Sequence, residues 1–289
     1  MRVFIAGGRN GQLYCEMLRS CPEGIEIIDQ GEQRLDITDE ALVERVIKEA
    51  KPEYIINAAA YTAVDKAEEE SNIAAAYAVN EQGVVNLALA ACACDARLIH
   101  VSTDFVFGHT SATPISPDAP TDPISVYGKS KLAGEKQLQE IMPQTSLIVR
   151  TAWVYSSFGN NFVKTMLRLM SERDELGVIA DQIGSPTSAK GLATALWRAL
   201  EKNSSGIMHW TGAGVASWYD FAQAIMEEGI ALGLLERPVF INPLRTDQYP
   251  TPAERPPYSV LETTVTRAEL ELTPIHWREE LRAMLRELS

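Results

Sequence analysis

Basic side chains are scarce: 26 Lys and Arg stand against 39 Asp and Glu, a net charge of −13 at pH 7. A chain this acidic repels polyphosphate duplexes, which excludes nucleic acid as a partner. Cysteine and histidine are scarcer still. Four cysteines (Cys15, Cys21, Cys92, Cys94) in 289 residues make no disulfide framework, and four histidines (His100, His109, His209, His276) lie too far apart for zinc spacing. Reduced thiols and no metal are expected. No uncharged apolar run approaches the roughly 18 residues needed to cross a bilayer, which excludes a membrane span. The start Met1-Arg2-Val3-Phe4 enters a strand-like run directly, without the charged, apolar and cleavage regions of a secretory leader, so a cytoplasmic location is expected. With 46% hydrophobic and 22% charged residues, the chain has enough apolar surface to fold as one large domain or two small ones.

What is present is a rhythm. Short β-branched runs at Val3–Ala6, Ile25–Ile28, Tyr54–Asn57, Leu98–Ser102, Leu147–Arg150 and Val178–Ile179 alternate with helical patterns such as Ala41–Glu49, Glu81–Ala93 and Lys129–Glu140. That alternation predicts an α/β fold with a doubly wound parallel sheet, and the unbroken apolar character of the runs predicts strands buried on both faces. Beyond Arg150 the composition turns richer in Trp, Pro and Gly, with a helix from about Ser217 to Gly233, a Pro-rich stretch at Tyr249–Tyr258 and a closing helix from Trp277. This reads as a smaller C-terminal α/β lobe. The expected division is 1–152 with 177–216 for the nucleotide-binding part, and 153–176 with 217–289 for the substrate lobe.

After the first run comes Gly7-Gly8-Arg9-Asn10-Gly11-Gln12-Leu13-Tyr14, followed by a helical pattern. Glycines there let the backbone turn tightly and approach a pyrophosphate, whose charge is met by free N–H groups and the positive end of a helix dipole. This is the Rossmann-type dinucleotide turn, except that Tyr14 stands where a third small residue would pack against the sheet. A ring at that position predicts a displaced helix or an altered cofactor pose. An acidic residue after the second strand, Asp29 or Glu32, would accept hydrogen bonds from a ribose 2′-hydroxyl and repel a 2′-phosphate, which favours NADH over NADPH, although Arg34 is near enough to reverse that choice.

Val101-Ser102-Thr103-Asp104 closes the fourth run, and Tyr127-Gly128-Lys129-Ser130-Lys131 opens the next helix. Tyr127 and Lys131 are one helical turn apart, so their polar ends can converge on one bound group. A free phenol, with a pKa near 10, is a slow acid or base at neutral pH, and an ammonium beside it lowers that value. Lys131 is therefore expected to tune Tyr127, while a hydroxyl from Thr103 or Ser102 holds a substrate carbonyl oxygen in place.

With these residues in view, the chain resembles the extended short-chain dehydrogenase/reductases, and among them the dTDP-4-dehydrorhamnose reductase family. The resemblance rests on Asn57-Ala58-Ala59-Ala60-Tyr61-Thr62-Ala63-Val64-Asp65-Lys66-Ala67-Glu68, Ser102-Thr103-Asp104-Phe105-Val106-Phe107, Tyr127-Gly128-Lys129-Ser130-Lys131-Leu132-Ala133-Gly134-Glu135 and Arg150-Thr151-Ala152-Trp153-Val154-Tyr155. It continues through Gly159-Asn160-Asn161-Phe162-Val163, Asp181-Gln182-Ile183-Gly184-Ser185-Pro186-Thr187 and Arg255-Pro256-Pro257-Tyr258-Ser259-Val260-Leu261.

The resemblance implies a catalytic set of Thr103, Tyr127 and Lys131. It implies a cofactor surface of Gly8, Asn10, Gly11, Gln12, Leu13, Asp36, Ile37, Ala58, Ala59, Ala60 and Tyr61, and a nucleotide-sugar surface of Asp104, Phe105, Val106, Trp153, Asn161 and Arg255. An aromatic face packs on a sugar ring, and a guanidinium pairs with phosphate oxygens. The implied activity is that of an NAD(P)-dependent oxidoreductase. It delivers hydride to C4 of dTDP-4-dehydro-β-L-rhamnose and gives dTDP-β-L-rhamnose, the last step of dTDP-rhamnose biosynthesis, in a monomer or homodimer. Reduction or epimerisation of another 4-keto nucleotide sugar uses the same machinery. The family also includes a regulatory subunit, a role for which a tuned phenol has no physical use. Relatives generally carry Gly where Tyr14 stands and many have a basic residue near Glu32, which again favours NADH.

Overall fold

The computed structural model describes residues 1–28, 35–108 and 111–289. Asp29, Glu32 and Arg34, the residues expected to choose between the two cofactors, lie outside them.

The first half runs β1 (Arg2–Ala6), α1 (Gln12–Arg19), β2 (Glu26–Ile28), α2 (Glu40–Ala50), β3 (Tyr54–Asn57), α3 (Val64–Ala67), α4 (Glu70–Tyr77), a π-helical turn (Ala78–Gln82), α5 (Gly83–Ala93), β4 (Arg97–Thr103), a 3-10 turn (Asp104–Val106), α6 (Val126–Ile141) and β5 (Ser146–Thr151). The second half adds β6 (Val154–Tyr155), α7 (Phe162–Glu172), β7 (Glu175–Ile179), β8 (Ile183–Gly184), β9 (Thr187–Ser188), α8 (Ala189–Glu201), β10 (Gly206–His209), β11 (Ala216–Ser217), α9 (Trp218–Ala231), β12 (Phe240–Leu244), α10 (Thr264–Leu270) and α11 (Trp277–Leu285). Among the described residues no helix is long and apolar enough to cross a membrane.

Six strands form one parallel sheet in the order β10-β5-β4-β3-β1-β2. The runs of β1, β3 and β5 are almost wholly buried because each face is covered. Val3, Ile5, Ile56, Ile99 and Leu147 pack toward α1 and α8, whereas Phe4, Ala6, Ile55, Leu98 and Ile148 pack toward α2 and α5. Each such side chain contributes roughly 1.5–3 kcal/mol on burial. A third cluster, with Tyr155, Val163, Met166, Phe221, Ile225, Trp277 and Leu281, forms the core of the C-terminal part. Helix starts follow side-chain caps: Asp39 accepts from Leu42 N–H before α2 at 3.0 Å, and Ser217 and Asp220 form a reciprocal capping box before α9.

Three elements depart from the sequence expectation. The run Val178–Ile179 belongs to β7, which pairs with β12 outside the main sheet. Only alternate β7 residues, Leu176 and Val178, are buried, so it carries one apolar face where the central strands carry two. The sixth strand of the main sheet is instead β10, Gly-Ile-Met-His, too short and too broken by Gly and His to show in a pattern of apolar runs. The expected helix Glu81–Ala93 begins with the π-helical turn and becomes α-helical at Gly83.

Strand order reverses between β1 and β3, and ligands of open α/β sheets bind outside the carboxyl ends of strands at such a switch point. The glycine turn follows β1, the Ala58–Tyr61 segment follows β3, and Thr103 ends β4.

Candidate active site

The turn after β1 is held by Gly11 N–H donating to the Gly8 carbonyl at 2.7 Å, and a Cβ on Gly11 would lie 2.9 Å from that oxygen. Only glycine fits so close an approach. Gly11 caps α1 without a side-chain hydrogen bond, which leaves the first N–H groups of the helix to an anion. Leu13 and Tyr14 are buried in the core with Val3, Ile5 and Leu192. The Tyr14 ring is thus taken up by the packing of α1, among a row of α8 that supplies Ala193, Ala195 and Ala199.

Ala58 N–H donates to the Ala6 carbonyl at 2.8 Å, tying the segment after β3 to the end of β1. Asn80, in the π-helical turn, holds the rest of that segment. Its Oδ1 accepts from Tyr61 N–H at 2.9 Å, and its Nδ2 donates to the Tyr61 carbonyl at 3.2 Å and to Ser130 Oγ at 3.0 Å. Asp36 folds a local turn, accepting from Thr38 N–H and Oγ1, while the buried Ile37 offers its carbonyl to Asn86. Asn80 was not among the expected site residues, because a π-turn leaves no periodic trace in a sequence.

Ser125 caps α6 by accepting from Gly128 N–H at 3.1 Å. A Cβ on Gly128 would lie 2.2 Å from the Phe105 carbonyl oxygen, so its absence lets the 3-10 turn press against the helix. The Phe105 and Tyr127 rings meet edge to face with centroids 5.5 Å apart. Thr103 Oγ1 accepts from Phe105 N–H at 3.2 Å and donates to Asp104 Oδ1 at 3.1 Å. Thr103 and Tyr127 are thereby brought near enough for the threonine hydroxyl to act on the phenol. Val106 points away into a small apolar core with Phe107 and Leu132.

Burial dominates the electrostatics. It pushes the Tyr127 phenol up to about 12, with the Thr103 hydroxyl pulling down and Asp104 adding to the rise. It also pushes the Asp104 carboxyl up to about 6, against the hydroxyls of Ser259 and Thr103. Lys131, 1% exposed, is lowered to about 8 by the same desolvation, with only Glu135 acting the other way. The groups that shift the phenol are its own burial, Thr103 and Asp104. Lys131 Nζ is directed to the Val101 carbonyl at 2.7 Å and to His100 Nε2 at 3.1 Å.

The expected sugar-binding residues are divided. Asp104, Phe105 and Val106 follow β4 beside Tyr127. Trp153, held at φ +49°, stacks on Trp218 with ring centroids 3.6 Å apart. Trp218, from a helix distant in sequence, had no signal that marked it. Asn161 caps α7 and donates to Gln12 Oε1 at 2.9 Å, which places it beside the glycine turn. Arg255 is engaged with Asp65, at 2.7 Å and 3.1 Å, and that guanidinium holds the Asp65 carboxyl below its usual range. The phosphate-pairing expectation for Arg255 thus meets a protein carboxylate already in the fork.

A glycine turn at a switch point, a strand-end hydroxyl and a Tyr–Lys helix define a Rossmann-type α/β protein with an acid–base site at the carboxyl edge of its sheet. The chain belongs to the family described as the RmlD substrate binding domain, whose model matches residues 1–289. It is similar to the dTDP-4-dehydrorhamnose reductase of Aggregatibacter actinomycetemcomitans, with 43% identity over 96% of this chain and 95% of the relative. A solved dTDP-4-dehydrorhamnose reductase from Clostridium acetobutylicum superposes with a TM-score of 0.91 at 39% identity, covering 100% of this chain and 99% of that one. Another, from Bacillus anthracis in complex with NADP, gives 0.89 at 35% identity, covering 99% of each chain.

Proposed function

We propose that this protein is an NAD(P)-dependent oxidoreductase that reduces the C4 ketone of dTDP-4-dehydro-β-L-rhamnose to dTDP-β-L-rhamnose. The observation that carries the reading is the placement of Thr103 at the carboxyl end of β4 beside Tyr127, with Lys131 one turn further along the helix, in a chain whose full-length relatives bear that reductase's name. The residues fit a dinucleotide. The uncapped start of α1 suits a pyrophosphate, and the half-buried Ala58, Ala59 and Ala60 leave room for its middle. Gly8, Asn10, Gly11, Gln12 and Leu13 would hold the phosphates through their backbone, and Asp36, Ile37 and Tyr61 would flank the remainder.

A reduced nicotinamide, when bound, supplies the hydride for C4. Tyr127 supplies the proton. A phenol pushed up to about 12 is fully protonated at neutral pH, the state required of a donor to a carbonyl oxygen. Thr103 holds that oxygen within reach, and Lys131, as an ammonium, stabilises the phenolate that forms. Asp104, Phe105 and Trp153 would contact the sugar, with Asn161 and Arg255 reaching it or its phosphates once released from Gln12 and Asp65, while Val106 stays in the apolar core behind them.

Residues 1–152 with 177–216 would serve the cofactor and 153–176 with 217–289 the sugar. Two core clusters flank the main sheet and a third lies in the C-terminal part, in support of this division, though β7 packs with the third. The acidic Asp29 and Glu32 favour NADH, whereas the Bacillus anthracis relative was solved with NADP. We place the enzyme in the cytoplasm as a monomer or homodimer.

The test follows NAD(P)H absorbance with the dTDP-4-keto sugar, using NADH and NADPH in parallel. Tyr127→Phe is expected to lose at least a hundredfold in rate with cofactor affinity nearly unchanged, since general acid catalysis contributes roughly 10²–10⁴-fold. A variant that keeps more than about a tenth of the rate removes Tyr127 as the proton donor. Oxidation with a different 4-keto nucleotide sugar would move the assignment to that substrate, and none with any would favour a regulatory subunit.

A further inference from the structure

A chain of buried polar groups stands behind Lys131, and its direction can be read atom by atom. Asn57 and His100 face each other across β3 and β4, and both are 0% exposed. Ala59 N–H donates to Asn57 Oδ1 at 3.0 Å. That bond fixes the amide, because reversing it would set an NH2 group against the Ala59 N–H. Asn57 Nδ2 therefore faces His100 Nδ1, at 3.1 Å, and donates to it. A ring nitrogen that accepts carries no proton. Burial, the largest cause, holds His100 well below the usual range of a histidine, so the ring is neutral and its single proton is on Nε2. Nε2–H points at Lys131 Nζ, 3.1 Å away, while Nζ donates to the Val101 carbonyl at 2.7 Å. To accept from Nε2–H, Nζ must present a lone pair, and only the free amine has one.

We propose that His100 is a positioning residue for the reaction: locked in one tautomer by Asn57, it favours the amine form of Lys131 over the ammonium and so sets the pH above which the lysine no longer assists Tyr127. This rests on the reductase reading above. Once Tyr127 has passed its proton to the substrate oxygen, the Lys131 ammonium steadies the phenolate until a solvent proton restores the tyrosine. The amine, whose lone pair receives Nε2–H, carries no charge with which to do so.

Burial already disfavours the ammonium, and His100 adds to it; among the described residues, charged neighbours do not supply another cause. From α6 itself, Glu135 acts on Lys131 but is bonded to Arg150 of β5 at 2.7 Å, and Tyr127 is neutral at the pH in question. From the turn after β4, Asp104 bonds Thr103. From α3 and the residue that follows it, Asp65 is paired with Arg255, and Glu68 accepts from Val126 N–H. The π-helical turn contributes the neutral Asn80, through Ser130.

Two measurements test this. In wild-type protein labelled with nitrogen-15 histidine, with the His100 signals assigned by single replacement of each of the other three histidines, Nε2 should be protonated and Nδ1 bare from pH 6 to 9. A proton on Nδ1, or an imidazolium, overturns the proposal without any need for a His100 variant to fold. In the pH profile of kcat/KM for keto-sugar reduction, His100→Gln offers Nζ a carbonyl acceptor in place of a donor. The alkaline limb should then move up by about one pH unit, a tenfold gain relative to wild type on the far side of that limb. A limb that stays in place overturns the role in rate. If wild type reduces no 4-keto nucleotide sugar, the reductase reading fails and takes that role with it, while the tautomer measurement still reports on the hydrogen-bond chain alone.

Discussion

Helix α6 buries two very different charged arrangements one turn apart. Glu135, 1% exposed, grips the Arg150 guanidinium of β5 in a fork, with contacts of 2.7 Å and 3.0 Å, and Arg150 in turn lies over the Phe107 ring at 5.1 Å. Lys131 is equally buried, yet its partners are a carbonyl and a neutral imidazole. A compensated charge fastens helix to sheet. An uncompensated one has a protonation state that the surroundings can move, and chemistry needs the second kind.

Breaking the compensated side should have the largest effect. Glu135→Ala leaves the Arg150 charge buried without its carboxylate, and urea unfolding is expected to show a loss of about 3–5 kcal/mol. A loss below about 1 kcal/mol would mean that the fork does not fasten α6.

Asp104 sharpens the same contrast from the acidic side, as a buried carboxyl with hydroxyl partners and no cation. Its value in the folded protein, about 6, lies above the ordinary 3.8. Protonated Asp104 therefore favours folding below the unfolded value, and that contribution is lost as the pH rises through about 6. Two pH units correspond to about 3 kcal/mol. The unfolding free energy of Asp104→Asn, compared with wild type at pH 4 and at pH 7, should shift in favour of the variant by about that much. Equal differences at the two pH values would show that the carboxyl is not destabilised by burial.

Lys131→Met is the reciprocal of Glu135→Ala. Turnover should fall about a hundredfold, roughly 2.7 kcal/mol in the barrier, because the developing phenolate loses its cation. Stability should change by less than about 2 kcal/mol, since the desolvation cost of the ammonium disappears together with its hydrogen bond to the Val101 carbonyl. Turnover and urea unfolding measured on the same preparation separate the two roles.

This contrast was only half legible in the sequence. Apolar runs placed β1, β3, β4 and β5, and spacing alone put Tyr127 and Lys131 on one helical face, because both depend on local periodicity. The partners of these residues are tertiary. A lone histidine within Leu98-Ile99-His100-Val101, a strand buried on both faces, does signal a polar group in need of partners. Nothing local says that they are Asn57 and Lys131. Arg255 reads as a free guanidinium until Asp65, distant in the chain, is folded against it, and Trp218 becomes a neighbour of Trp153 only through the packing of α9. That Lys131 acts on the phenol is read from proximity on a helix, whereas desolvation, the largest influence on both groups, depends on the whole fold.

The smallest effect belongs to a pair with the chemistry of Arg150 and Glu135 but not their burial. On α7, Arg168 and Glu172 are one turn apart with a contact of 3.0 Å, and their side chains are 60% and 52% exposed. Water competes for both groups, salt screens them, and holding two long side chains in register costs entropy. Arg168→Ala should therefore change the unfolding free energy by no more than about 0.5 kcal/mol, and by less as salt is added. If it instead cost as much as Glu135→Ala, ion-pair geometry alone would decide stability, and burial could no longer explain why one cation of α6 and β5 fastens the fold while the other is left available to the phenol.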